Sequence, residues 1–168
     1  MNNIIKKPKH GFEIVEYESR LDKIHYQMSL NKLDAILITT PHNFRYYTGL
    51  DSYFWESPTR PWFLIIPYNE KPIAIVPSIG TSALKKTWVK NILSWPSPNP
   101  NDEGVTILSQ AINSLSKKFG KIGAEMGNES TLRMPINDYF KLLKSKDKNE
   151  IGMIHNMKDK YIQSEINY

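Results

Sequence analysis

Cysteine is absent from these 168 residues, which removes disulfides, thiolate metal sites and a cysteine nucleophile in one step. Absent as well is any apolar run near the ~20 residues that a membrane-spanning helix needs. The charged start, residues 1–9, leads into no apolar signal segment, so the expectation is a cytoplasmic protein without membrane contact. There is no Gly-x-Ser-x-Gly turn of the kind that exposes a serine nucleophile. The four histidines, His10, His25, His42 and His155, stand apart from Asp, Glu and one another at the spacings expected of metal ligands. The expected metal and cofactor complement of this chain is therefore none. These absences leave no complete catalytic site and no catalytic residue to name, and they point to a module that binds, pairs with or covers a partner's site.

What is present suits one ordinary domain. Hydrophobic residues make up 40% of the chain, with 4 Trp, 9 Tyr and 6 Phe spread along it, which argues for a single packed core and against disorder. The formal charge is +5, but the lysines gather at Lys6-Lys7-Pro8-Lys9 and between Lys141 and Lys160. Without an Arg-rich helix or interleaved aromatic bases-stacking signature, these read as solvated tails, and no nucleic-acid partner is expected.

Along the chain, residues 19–33 place Leu21, Ile24, Met28, Leu30 and Leu33 at helical spacing, with Ser19 or Asp22 available as cap. Residues 34–40 form a short β-branched and apolar run ending at Pro41, suited to a central strand covered on both faces. Residues 41–51 predict a short helix turning at Gly49. Residues 62–66 and 72–76 predict an antiparallel hairpin, 81–88 a helix, and 91–95 a strand followed by a proline-rich loop. Val105, Leu108, Ile112 and Leu115 share one helical stripe, 121–126 is a last strand, and 132–143 a last helix around Pro135. This alternation, broken by one hairpin, predicts an α/β fold: a mixed β-sheet with helices on both faces. Residues 1–18 read as an N-terminal extension, 19–143 as the domain, and 144–168 as a linker helix cut short, with Ile151, Ile154 and Met157 on a thin apolar stripe.

Three places could carry chemistry. His42 follows a strand's C-terminal end, where α/β proteins put their sites; it is either a polar contact to a ligand or a turn residue. Ile79-Gly80-Thr81-Ser82 opens a helix and offers either free N–H groups for an anion or a simple N-cap. The loop Phe54-Trp55-Glu56-Ser57-Pro58-Thr59-Arg60-Pro61 is the most unusual stretch. Arg60 suits a carboxylate and Trp55 a cation, while the plainer reading is a Glu56–Arg60 ion pair bracing the loop.

The run Asp34-Ala35-Ile36-Leu37-Ile38, then Asn43-Phe44-Arg45-Tyr46-Tyr47-Thr48-Gly49, then a strand hairpin, resembles the N-terminal domain of the creatinase, prolidase and aminopeptidase P family. The resemblance covers roughly residues 20–150. The segment Phe54 to Trp62 looks most like the branch of Xaa-Pro-peptidase-like proteins that includes a dimethylsulfoniopropionate lyase. It implies a ribonuclease-H-like α/β unit, with catalysis in a following pita-bread domain that holds two divalent metal ions. Lys144-Ser145-Lys146-Asp147-Lys148-Asn149-Glu150-Ile151 resembles the family's inter-domain linker, so the chain reads as truncated before catalysis. The resemblance also implies dimerisation, with Phe54, Trp55 and Arg60 forming a loop that covers the partner's substrate pocket. Expected partners are a second copy or a pita-bread catalytic domain, with a small molecule or Xaa-Pro peptide at the loop. The alternative is one half of a split metallopeptidase or lyase whose catalytic half is a separate chain.

Overall fold

The computed structural model describes residues 11–52, 60–127 and 131–144, and the backbone of 154–156. The chain opens with α1 (Ile14–Asn31), whose residues Tyr17, Leu21, Ile24 and Met28 recur every three or four positions and are all buried. It ends where Lys32 turns left-handed and returns its N–H to the last turn. The helix starts at Ile14 rather than at 19, and neither Ser19 nor Asp22 caps it; Glu13 is the N-cap, without a side-chain bond. Residues that look polar in the sequence tie down this first turn. Tyr17 stacks on Trp88 at 5.8 Å. Arg20, only 6% exposed, lies over the rings of Phe12 and Tyr46 and donates to Glu16 and to the Tyr46 carbonyl.

Next come β1 (Ala35–Ile38), α2 (Pro41–Thr48), β2 (Phe63–Pro67) and β3 (Ile73–Pro77). Pro41 starts α2 where a missing N–H costs nothing, and Gly49 stops it at φ 75°. A short 3-10 turn, Ser78–Gly80, runs into α3 (Thr81–Leu84), followed by β4 (Asn91–Trp95), α4 (Val105–Asn113), β5 (Ile122–Ala124), α5 (Ile136–Lys144) and β6 (Ile154–Asn156). The strands form one sheet in the order β4-β3-β2-β1-β5-β6. β2 is antiparallel to both neighbours, whereas β3–β4, β1–β5 and β5–β6 are parallel. The predicted hairpin is thus the β2–β3 pair.

Alternate strand residues feed two cores. Ile36, Ile38, Leu64, Ile66 and Val76 face α1 and α2 on one side. Leu37, Phe63, Ile65, Ile75 and Ala124 face Leu108 and Ile112 of α4 and Leu142 of α5 on the other. The α/β fold with a mixed sheet and helices on both faces is therefore what the chain adopts.

Two further expectations need correction. The helix over 81–88 closes after Leu84, because the Thr87 hydroxyl donates to the Leu84 carbonyl and accepts from the Val89 N–H. That local turn competes with helix and swings Trp88 inward, where its Nε1 donates to the Tyr47 carbonyl. The stripe of Ile151, Ile154 and Met157 is not helical at its centre: Ile154–Asn156 is a strand parallel to β5, while Ile151 and Met157 lie outside the described residues. Pairing with β5 lets that segment share the sheet's ladder, where a lone thin-faced helix has little packing to support it.

Gly104 is left-handed at φ +88°, and a Cβ there would meet the Trp95 ring at 2.6 Å; Gly120 is also left-handed, at φ +71°, with nothing within 4 Å. Both alanine substitutions carry the backbone strain, about 1 kcal/mol. Only Gly104→Ala adds overpacking, so it should lose roughly 1–3 kcal/mol more than Gly120→Ala in urea unfolding.

Candidate functional site

β1 and β5 lie side by side and parallel, yet their residues are more than eighty positions apart in the chain. A carboxyl group closes each end of the pair. Asp34, just before β1, accepts four backbone N–H groups, from Lys118, Phe119, Gly120 and Lys121, in the turn that leads into β5. Glu125, just after β5, accepts from residues that follow β1: the N–H and hydroxyl of Thr39, the N–H and hydroxyl of Thr40, and the Asn43 amide. The Thr39 N–H and Thr40 N–H reach it at 2.6 and 2.8 Å. Glu125 is 2% exposed, and five donors satisfy a group that would otherwise be very costly to bury.

The Glu125 end is the end where α/β proteins place ligands. His42 stands there on the first turn of α2 but is exposed, while its neighbour Asn43 points inward. His42 is therefore not part of the Glu125 cluster. Arg60 sits at the same end of the sheet, just ahead of β2. Its charge acts on Glu103, which accepts from Trp95 Nε1 at 2.9 Å, Ser97 Oγ at 2.9 Å and the Asn99 N–H at 2.7 Å. Partial burial pushes the Glu103 carboxyl up, but those hydrogen bonds and the Arg60 charge outweigh it and hold its pKa below the ordinary glutamate value. Phe54, Trp55 and Glu56 lie outside the described residues, so the covering loop and the Glu56–Arg60 pair do too.

The Ile79–Ser82 segment does open a helix, α3. Gly80 occupies the N-cap position of a four-residue helix without a side-chain cap, and the Thr81 hydroxyl donates back to the Ser78 carbonyl. Gly80 is required by packing instead, since a Cβ there would meet the Trp62 ring at 2.6 Å. Among the described residues no group of three or more His, Asp or Glu side chains converges in a way that could hold a metal ion. The buried carboxyls face N–H and hydroxyl donors, an environment that fits an anion and not a cation, so the described residues do not fit a two-metal centre. Nor is any helix among them long and apolar enough to cross a membrane.

The profile of the creatinase/prolidase N-terminal domain matches residues 20–154. The chain belongs to that family. No curated protein matches this domain in sequence, but solved structures share its fold. The creatinase/prolidase N-terminal domain of an Xaa-Pro dipeptidase from Streptococcus pyogenes superposes with TM-score 0.65 at 16% identity, covering 87% of this chain and 98% of that one. A proline dipeptidase structure from Streptococcus pneumoniae gives 0.67 at 17% identity, covering 89% and 98%. A prolidase from Thermococcus sibiricus gives 0.68 at 19% identity, but there the match covers 88% of this chain and only 36% of that one. The creatinase/prolidase N-terminal domain is thus the whole of some solved chains and about a third of others.

Asp34 and Glu125 are the polar residues that sequence reasoning passed over. The available signal was a charged residue flush against an apolar strand, in Asp34-Ala35-Ile36 and in Ile122-Gly123-Ala124-Glu125, where an ordinary strand position within 34–40 and within 121–126 was the easier reading. Glu125→Gln turns one acceptor into a donor facing other donors. It should cost about 2–3 kcal/mol, more than Asp34→Asn, whose loop N–H partners can turn to water; urea unfolding of the two variants checks the order. The depressed Glu103 pKa has a definite sign. Its stabilisation is present above the unfolded-state value of about 4.3 and is lost as pH falls through the lower folded value. The stability gap between the wild type and Glu103→Gln should therefore be steady above about pH 5 and close on further acidification, as followed by urea titrations.

Proposed function

We propose that this domain is the non-catalytic N-terminal part of an Xaa-Pro dipeptidase-like hydrolase. In this reading it pairs with a second copy and helps close a metal-dependent active site carried by a separate pita-bread domain or chain. The observation that supports it most is coverage. The fold accounts for nearly all of the Streptococcus pyogenes N-terminal domain and about a third of the Thermococcus sibiricus prolidase. The chemistry of the sheet end agrees, since its buried carboxyls are already paired with the chain's own donors. Exposed Ile136 and Phe140, one turn apart on α5, and Tyr26 and Leu30 on α1 offer apolar surface for pairing. Phe54, Trp55 and Arg60 would cover the partner's substrate, excluding water and orienting it without supplying metal or base; His42 would add at most a polar contact at the rim. A cysteine-free chain suits a reducing compartment, and we place the protein in the cytoplasm.

The purified 168-residue protein should give no turnover of Xaa-Pro dipeptides or of dimethylsulfoniopropionate with Mn²⁺, Zn²⁺ or Fe²⁺. Turnover above background would contradict the proposal. A split enzyme differs only in where the catalytic half is encoded, and a reading frame directly downstream beginning with a pita-bread domain would favour it.

A further inference from the structure

Beside the Glu125 clamp the connections of two adjacent parallel strands part company. The chain leaves β1 through α2, whose Phe44 and Tyr47 pack on one face of the sheet. It leaves β5 towards α5, whose Leu142 packs on the other. Adjacent parallel strands with connections to opposite faces open a crevice at their C-terminal ends, the usual ligand position in α/β folds. Here that strand end is closed over Glu125, whose carboxylate lies at the start of the eight-residue α2 and accepts the N–H of its N-cap, Thr40; that end of a helix favours an anion.

We propose that the crevice is a carboxylate-binding site occupied by the chain's own Glu125 side chain, and that a free 2-hydroxycarboxylate takes its place once that side chain is removed. The donor set is built for a carboxylate: two backbone N–H groups, two threonine hydroxyls and one amide N–H. Its hydroxyl geometry is fixed, because Thr39 Oγ1 accepts the Arg133 N–H and so directs its own proton towards Glu125. One atom is left over. Asn43 is 3% exposed, and its Oδ1 has no hydrogen-bond partner among the described residues, although its Nδ2 is bonded to Glu125 Oε1. A glutamate side chain carries no donor to offer that oxygen. A carboxylate with a hydroxyl on the adjacent carbon does, and it would fill the acceptor and the donors together.

The test uses Glu125→Gly and its thermal unfolding midpoint at pH 7 in sodium glycolate, acetate and chloride of equal ionic strength. Glycolate at about 0.1 M should raise the midpoint by roughly 3–6 °C, acetate by less and chloride not at all, while the wild type responds to none of them. Adding Asn43→Ala should remove the lead of glycolate over acetate. Should Glu125→Gly not fold in chloride, recovery of folded protein on refolding in glycolate supports the site, and failure in every salt counts against it. An equal response in chloride, or an equal rise in the wild type, overturns it.

Discussion

The parallel pairing of β1 with β5 is the contact on which the rest of the domain depends. The hydrogen-bonded register of the pair spans three positions, Ala35 to Leu37 against Ile122 to Ala124, too few to hold two strands that far apart in the chain by their ladder alone. Asp34 and Glu125 lengthen the grip at both ends. Each carboxyl belongs to one strand and binds the segment flanking the other, so neither strand can slip without breaking both sets of bonds. β1 is also the bridge between the β2–β3–β4 half of the sheet and the β5–β6 half. The two cores form only because α1 and α2 cover one face of that joined sheet while α4 and α5 cover the other.

This arrangement bears on function. In many α/β proteins the C-terminal strand ends present polar groups to a ligand, whereas here Thr39, Thr40 and Asn43 all donate to Glu125 and the four are buried. The Glu103 group does the same under the proline-rich loop, tying Trp95, Ser97 and Asn99 together. Such inward use of polar groups makes a rigid scaffold. A scaffold is what the proposed role needs, which is to hold surfaces and a loop in place for chemistry carried elsewhere.

Much of the fold was legible because burial leaves a periodic trace. The run through Ile36 and Ile38, the hairpin of β2 and β3, and the Val105, Leu108, Ile112 stripe are all read directly from apolar spacing. What periodicity hides is the part made by polar or mixed side chains. Arg20 and Tyr17 belong to the core because aromatic rings and a carbonyl receive the guanidinium, and no spacing rule announces that. α3 stops early because a threonine hydroxyl captures the backbone at Leu84. The Asp34 and Glu125 pairings connect residues more than eighty positions apart and exist only once β1 and β5 are neighbours. Among candidate site residues, His42 was correctly placed at a strand end but turns outward, and Arg60 found a carboxylate field from Glu103, downstream of it in the chain, within this same domain.

Amide hydrogen exchange tests the clamp most directly. The N–H groups of Lys118, Phe119 and Gly120 lie in a turn outside the strand ladder, so Asp34 is the acceptor that would shield them, as Glu125 would shield those of Thr39 and Thr40. If the two carboxyls hold β1 to β5, these amides should exchange only with the slow, cooperative opening that also exposes Ile36 and Leu64. Exchange at the pace of an exposed turn such as that at Asn69, with the core strands still protected, would contradict the account.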